Sequence, residues 1–218
     1  MSESIHIQCV ESQPFAENTY IVWREGESSC LVIDPGFEPD LIFTVLEKHN
    51  LKVDAILNTH GHADHIGGNE AMKQAFPEAP LVIGKKDAVM LSDAQANLSA
   101  PFGLPITSPD ADRLVSEGEQ VQYANLDLDV LDIPGHSPGH VVFVLRTQPV
   151  RVFGGDVLFQ GSVGRMDFPG GDGVLLKKGI REKLFQLPSD TIVYPGHGPT
   201  TTIGEEKEYN PFVGDHVG

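Results

Sequence analysis

Short apolar runs separated by polar turns dominate the first third of the chain. Ile5–Val10, Thr19–Trp23 and Cys30–Ile33 read as strands, joined by turn-rich segments such as Glu25-Gly26-Glu27-Ser28. The period then changes. Between Pro39 and His49 the apolar residues Leu41, Ile42, Val45 and Leu46 recur on one helical face, and Pro39 suits the first helical position. Val53–Leu57 is a compact apolar strand, and a second helix is predicted from about Gly67 to Phe76. Strand and helix follow once more at Leu81–Ile83 and Lys85–Leu91.

Residues 92–109 hold three prolines and no clear period, which predicts a long loop. Strands return at Leu126–Ile133, His140–Leu145 and Val150–Phe153, followed by a helix over Val174–Leu187 and a short strand at Thr191–Tyr194. No internal repeat recurs at a fixed period. Two strand-rich halves, each followed by helices, fit an α/β fold of four layers, a β-sandwich flanked by helices (αββα). Element order alone leaves other α/β layerings open.

Composition narrows the function classes. At 218 residues and 40% hydrophobic content the chain is expected to form one domain over residues 1–218, with one sizeable core. No apolar run approaches the roughly 20 residues that a membrane helix needs. The start, Met1-Ser2-Glu3-Ser4, is polar and acidic, unlike a signal peptide, so a cytoplasmic protein without a membrane partner is expected. A net charge of −16 argues against nucleic acid as a partner, because phosphate binding needs basic patches. Cys9 and Cys30 both lie in apolar runs and read as core thiols rather than as a disulfide or a nucleophile.

The strongest chemical signal is Thr59-His60-Gly61-His62-Ala63-Asp64-His65, directly after the strand Val53–Leu57. In an extended segment residues two apart project to the same side, so His60 and His62 can offer two imidazoles to one cation. Asp64 and His65 can serve a second cation beside it. Imidazole and carboxylate together suit zinc first, with iron or manganese as alternatives. A solvated His-rich loop is the bland alternative, but four ligand-type residues within six positions make a specific pattern.

Three more segments share one design: an apolar strand, a Gly-containing turn, then a ligand-type residue. They end at His136 (Val130 to His136), Asp156 (Val152 to Asp156) and His197 (Ile192 to His197). Strand ends are where a rigid sheet presents side chains to a shared cleft. Each alone is an ordinary turn residue; together with the first motif they point to one metal site.

THGHADH, PGHSPGH, GGDVLF and PGHGPTTT resemble the metallo-β-lactamase superfamily, and within it the glyoxalase II branch of hydroxyacylglutathione hydrolases. The likeness runs from Asn18-Thr19-Tyr20 through Ile33-Asp34-Pro35-Gly36 to Asn210-Pro211-Phe212 and is closest to short, single-domain bacterial members. It implies the αββα metallo-β-lactamase fold. It also implies a first metal on His60, His62 and His136, a second on Asp64, His65 and His197, and Asp156 bridging the two. Asp64 and Asp156 are then the candidate catalytic carboxylates. Beta-lactamases that carry Cys in the bridging position differ here, which disfavours lactam hydrolysis. Asp34 resembles the family's Asp that orients a ligand imidazole; a plain turn Asp is an equal alternative.

The expected reaction is hydrolysis of a thioester such as S-lactoylglutathione by a metal-bridging hydroxide. Arg165, nine residues after Asp156, matches a basic residue that binds the glutathione portion in this branch and is the candidate for a substrate carboxylate. Residues 146–183 carry seven of the fifteen Lys and Arg residues against four acidic ones, which favours a small anionic substrate. The wet face of an amphipathic helix explains part of that excess equally well. Long enzymes of the branch add a C-terminal helical domain and a tyrosine after the last His, where this chain has Gly198-Pro199, so another acyl thioester or a small ester stays open. A mononuclear-iron persulfide dioxygenase shares the ligand set and a Gly-Arg-x-Asp-Phe segment (here Gly164 to Phe168), and a lactonase shares the dinuclear site. A scaffold protein with a dead site would lack a ligand, and all seven positions are filled. His140 reads as the start of a strand, and Phe102, Phe159 and Phe168 either wall the cleft or pack in core and loops.

Overall fold

The computed structural model describes residues 4–217. Six strands form a first sheet in sequential order: β1 (Ile5–Ser12), β2 (Glu17–Arg24), β3 (Ser29–Ile33), β4 (Lys52–Asn58), β5 (Leu81–Gly84) and β6 (Arg113–Val115). The first three pair antiparallel, and β3 through β6 pair parallel. A second sheet contains β7 (Gln120–Tyr123), β8 (Leu126–Asp132), β9 (Val141–Leu145) and β10 (Arg151–Gly155) as an antiparallel meander. The hairpin β11 (Leu158–Phe159) and β12 (Ser162–Val163) stands apart from both sheets. The second sheet continues with β13 (Ile192–Pro195), parallel to β10, and ends in β14 (Thr201–Thr202). Helices are α1 (Pro39–His49), α2 (Ala63–Ile66), α3 (Asn69–Ala75), α4 (Gly173–Glu182) and α5 (Ile203–Tyr209).

Three apolar clusters define the layers. Leu31, Ile33, Leu57 and Val82 from the first sheet pack between the sheets against Leu128, Val130, Phe143 and Phe153 from the second. On the outer face of the first sheet, Ile42 and Leu46 of α1 and Met72 of α3 cover Val32, Ile56 and Ile83. On the outer face of the second, Leu176 and Ile180 of α4 cover Val142, Val144 and Val152. The result is the expected αββα sandwich. Central strands buried on both faces must be apolar throughout, which is why β3 and β9 read as unbroken apolar runs. On β8 the alternation survives: Leu126, Leu128 and Val130 are buried, while Asp127 is exposed.

Several boundaries differ from expectation. The helix expected from about Gly67 to Phe76 is α3, and a separate single turn that was not expected, α2, precedes it inside the His-rich motif. The helix expected at Lys85–Leu91 shrinks to one tight turn, Ala88–Leu91. The helix expected to reach Leu187 ends at Glu182, and a separate turn covers Leu184–Gln186. The irregular stretch 92–109 includes only a short turn at Ala100–Phe102, and the Phe102 side chain lies outside the described residues.

This architecture brings four strand ends together. Chain segments leaving β4, β8, β10 and β13 meet at one edge of the sandwich. Backbone bonds tie the two sheets there: Asn18 N donates to Gly196 O at 2.7 Å, and Val141 N donates to Thr59 O at 2.8 Å. No helix among the described residues is long and apolar enough to cross a membrane.

Candidate metal centre

All seven residues singled out in the sequence converge at that edge. His60 leaves β4 and is fully buried; His62 follows in extended backbone; Asp64 and His65 lie on the single turn of α2. His60 Nε2 and His136 Nε2 stand 3.0 and 2.9 Å from His62 Nδ1. Beside this trio, Asp64 Oδ2 lies 3.3 Å from His197 Nε2 and 3.8 Å from His65 Nε2. Asp156 sits between the two groups. Its Oδ2 is 3.4 Å from His136 Nε2 and 3.6 Å from His197 Nε2, and its Oδ1 is 3.5 Å from His65 Nε2.

Donors around a tetrahedral ion with bonds of about 2.0–2.1 Å stand about 3.3–3.4 Å apart, close to this spacing. Buried polar atoms support the fit. His65 Nε2 and Asp156 Oδ1 have no hydrogen-bond partner, a costly state that a cation between them would relieve. His60, His62 and His136 form one three-donor set, and Asp64, His65 and His197 form another. Asp34, His60 and His65 also lie close enough to count as a set. Its carboxylate is already engaged: it accepts from Thr59 N at 2.7 Å, Thr59 Oγ1 at 2.6 Å and His65 Nδ1 at 3.1 Å.

That engagement orients the site. Asp34 fixes His65 directly and reaches His60 through Thr59, whose hydroxyl lies 3.1 Å from His60 Nδ1. The sequence suggested one imidazole for Asp34; the structure gives it two. His136 Nδ1 lies 3.0 Å from the Arg165 carbonyl, and His197 Nδ1 lies 3.1 Å from that of Phe15. With the outer nitrogens so occupied as donors, the inner ones present lone pairs to the shared space. Gly196 precedes His197 because nothing larger fits: a Cβ there would meet Asp156 Oδ1 at 2.3 Å and His65 Cε1 at 2.6 Å.

Charge follows burial and neighbours. Burial, then the surrounding imidazoles, holds His60 well below its ordinary pKa and pushes His62 down to about 3. Neutral imidazole is the form that binds metal. For His65 burial acts in the same direction, but Asp64, Asp156 and Asp34 outweigh it and raise the pKa. Burial would raise Asp64, yet His65 and His197 win and keep it ionised. The centre opens toward solvent on one side, where the side chains of His197 and Asp64 are 28% and 19% exposed and that of His65 is 0%.

Around the opening, the Phe159 ring lies 6.3 Å from His197 and the Phe168 ring 5.7 Å from His62, so both wall the centre. Arg165 lies on the rim, its guanidinium 3.7 Å above the Phe168 ring. It also grips Asp167 through two bonds of 2.8 Å. Three other cations of the basic stretch are engaged away from the site. Arg146 pairs with Asp129, Lys183 with Glu117, and Arg181 donates to the Val213 and Val217 carbonyls. His140 takes no place among the donors: its Nε2 accepts from Asp156 N at 3.0 Å and its ring stacks on His60.

Near the centre, the buried carboxylates Glu17 and Asp87 are not legible in the sequence. Glu17, 1% exposed on β2, lies 3.9 Å from His65 Nδ1, and burial pushes its pKa up. A glutamate beside an apolar strand carried a faint signal. Asp87, fully buried after β5, carried none, because its segment reads as an amphipathic helix.

The chain belongs to the metallo-beta-lactamase superfamily, whose family model matches residues 12–197, and it is a metallo-hydrolase of that fold. Among its relatives it is similar to hydroxyacylglutathione hydrolase GloC of Haemophilus influenzae, 38% identical over 96% of this chain and 98% of that one. Among solved structures it is similar to the BLEG-1 B3 metallo-beta-lactamase (37% identity, 95% of this chain and 99% of that one, TM-score 0.91). A similar likeness holds to TTHA1623 in a di-iron-bound form (38% identity, 94% and 99% of the two chains, TM-score 0.83).

Proposed function

We propose that the chain is a dinuclear thioester hydrolase of the glyoxalase II type, acting on a small anionic thioester such as S-lactoylglutathione. In this reading His60, His62 and His136 would hold one divalent ion, Asp64, His65 and His197 would hold the other, and Asp156 would serve both. The observation that carries it is the pair of three-donor sets with the Asp156 carboxylate reaching both. The resemblance to GloC supports the thioester. Zinc fits the donor set first; the di-iron form of TTHA1623 supports iron as the alternative.

Two such ions lower the pKa of coordinated water toward neutrality and act as Lewis acids on a carbonyl. The chain's own residues supply the rest. Asp156 sets the separation of the two donor sets. Asp64, kept ionised by His65 and His197, faces the same space and can accept a hydrogen bond from water there. Phe159 and Phe168 wall the opening against bulk water. Arg165 offers its fork to a substrate carboxylate, which must displace Asp167.

That competition gives a sharp expectation. Arg165→Ala should raise KM for S-lactoylglutathione about fivefold, and Asp167→Asn should lower it by a few-fold, with kcat little changed, because exposed ion pairs are weak. A neutral N-acetylcysteamine thioester should respond to neither variant. Equal KM changes for both substrates would remove Arg165 from carboxylate recognition. Asp34→Ala, which releases both His60 and His65, should weaken metal affinity about 10- to 100-fold, measured by competition with a chromogenic chelator.

The deciding experiment pairs metal quantification, on protein purified without chelator, with a hydrolysis screen. About two ions per chain and turnover of S-lactoylglutathione are expected. One iron per chain with oxygen uptake on glutathione persulfide would replace this reading with a dioxygenase, and preference for an acyl-homoserine lactone would replace it with a lactonase. The likeness to BLEG-1 favours lactam hydrolysis as the second reading, against the expectation drawn from Asp156. Turnover of nitrocefin in preference to the thioester would establish it.

A further inference from the structure

Asp87 lies in the turn after β5, away from the ligand motifs in sequence and behind them in space. Its side chain is fully buried, and its hydrogen bonds come from neutral groups rather than from a Lys or Arg among the described residues. Instead it gathers neutral donors from two segments. Ser137 Oγ donates to Oδ2 at 2.5 Å, Gly139 N donates to Oδ1 at 2.5 Å, and Gly61 N approaches Oδ2 at 3.4 Å. Gly61 is the spacer between His60 and His62. Ser137 and Gly139 directly follow His136. One carboxylate therefore spans the two segments that supply all three donors of one set. The contact is tight: a Cβ on Gly139 would meet Asp87 N at 2.5 Å and Oδ1 at 2.8 Å.

A buried carboxylate without a counter-charge is costly, and an apolar residue could have filled this volume. What a carboxylate adds is several acceptor positions fixed at one point, enough to hold two turns in one mutual geometry. We infer that Asp87 is a positioning residue that clasps the His60–His62 turn to the His136 turn and thereby sets the metal affinity of the three-imidazole set. The other set, Asp64, His65 and His197, lies outside its reach and draws its order from Asp34 and the Phe15 carbonyl. This inference rests on the reading that the His60–His62–His136 set holds an ion.

The test measures the two binding events separately. Metal-free protein is titrated with Co²⁺, whose visible absorption distinguishes ligand sets, and with Zn²⁺ against a chromogenic chelator. In Asp87→Ala one equivalent should weaken about 10- to 100-fold while the other keeps its wild-type affinity, the range that loss of a ligand-orienting partner causes. Asp87→Asn keeps one acceptor oxygen and should fall between. Ser137→Ala removes a single bond with little change of volume, and it carries the test if Asp87→Ala does not fold. Both equivalents at wild-type affinity in a folded variant would overturn the inference. Equal weakening of both, tracking a fall in thermal midpoint, would also overturn it and reduce Asp87 to a general structural role. Failure of the underlying metal reading would show earlier, as wild-type protein that takes up no Co²⁺ in this set.

Discussion

Asp156→Asn should lower turnover roughly a thousandfold and reduce metal content from about two ions toward one. The carboxylate lies between the donor sets and approaches the inner nitrogens of both: Oδ2 toward His136 and His197, Oδ1 toward His65. Asparagine keeps the shape and the backbone bond from Asp156 N to His140 Nε2. It offers only one acceptor oxygen, and it turns an NH2 group toward an imidazole nitrogen that needs a cation. One negative charge is lost where two divalent ions would otherwise share it. Transition-state stabilisation by a fixed metal pair is worth several kcal/mol, so loss of the pair is worth orders of magnitude in rate. Inductively coupled plasma analysis with a steady-state assay reads both effects, and far-UV circular dichroism should be unchanged. A variant with full metal loading and near wild-type turnover would remove Asp156 from the bridging role.

Part of this molecule is visible in its sequence for a physical reason. β3, β4 and α1 were readable to within a residue or so because burial on a defined face imposes a period that local sequence must carry. The strands β6, β7 and β14 and the hairpin β11–β12 are two to four residues long, too short for a period to show, and their pairing is decided by distant partners. The convergence of the seven residues was readable because all lie just past strand ends, one cluster directly after β4 and three single residues after a strand and a Gly-containing turn. Glu17 and Asp87 have no such signature; only the folded chain puts one beside His65 and the other under two turns. Arg165 was visible as a residue but not as a paired one, since its grip on Asp167 and its seat on Phe168 depend on loop geometry.

Removing the ions should cost the fold a large part of its stability. His60, His62, Asp64 and His65 follow β4 of the first sheet, whereas His136, Asp156 and His197 leave strands of the second, so each ion would be a cross-link between sheets. Without them Asp34, Asp64, Asp156 and Glu17 crowd around His65, three of these carboxylates buried. An ion present at about a thousandfold over its dissociation constant stabilises the native state by about 4 kcal/mol. For a chain of this size each kcal/mol moves the midpoint by about 2–4 °C, so the first ion alone should contribute about 8–16 °C. Scanning calorimetry before and after exhaustive chelation checks this, with recovery on adding Zn²⁺ back. The gap between loaded and metal-free midpoints should narrow as pH falls, because protons compete for the imidazoles and carboxylates that bind the ions. A midpoint that stays put after verified removal of both ions would mean that the strand ends are held by their backbone bonds alone, Asn18 to Gly196 and Val141 to Thr59, and that the centre adds chemistry without adding stability.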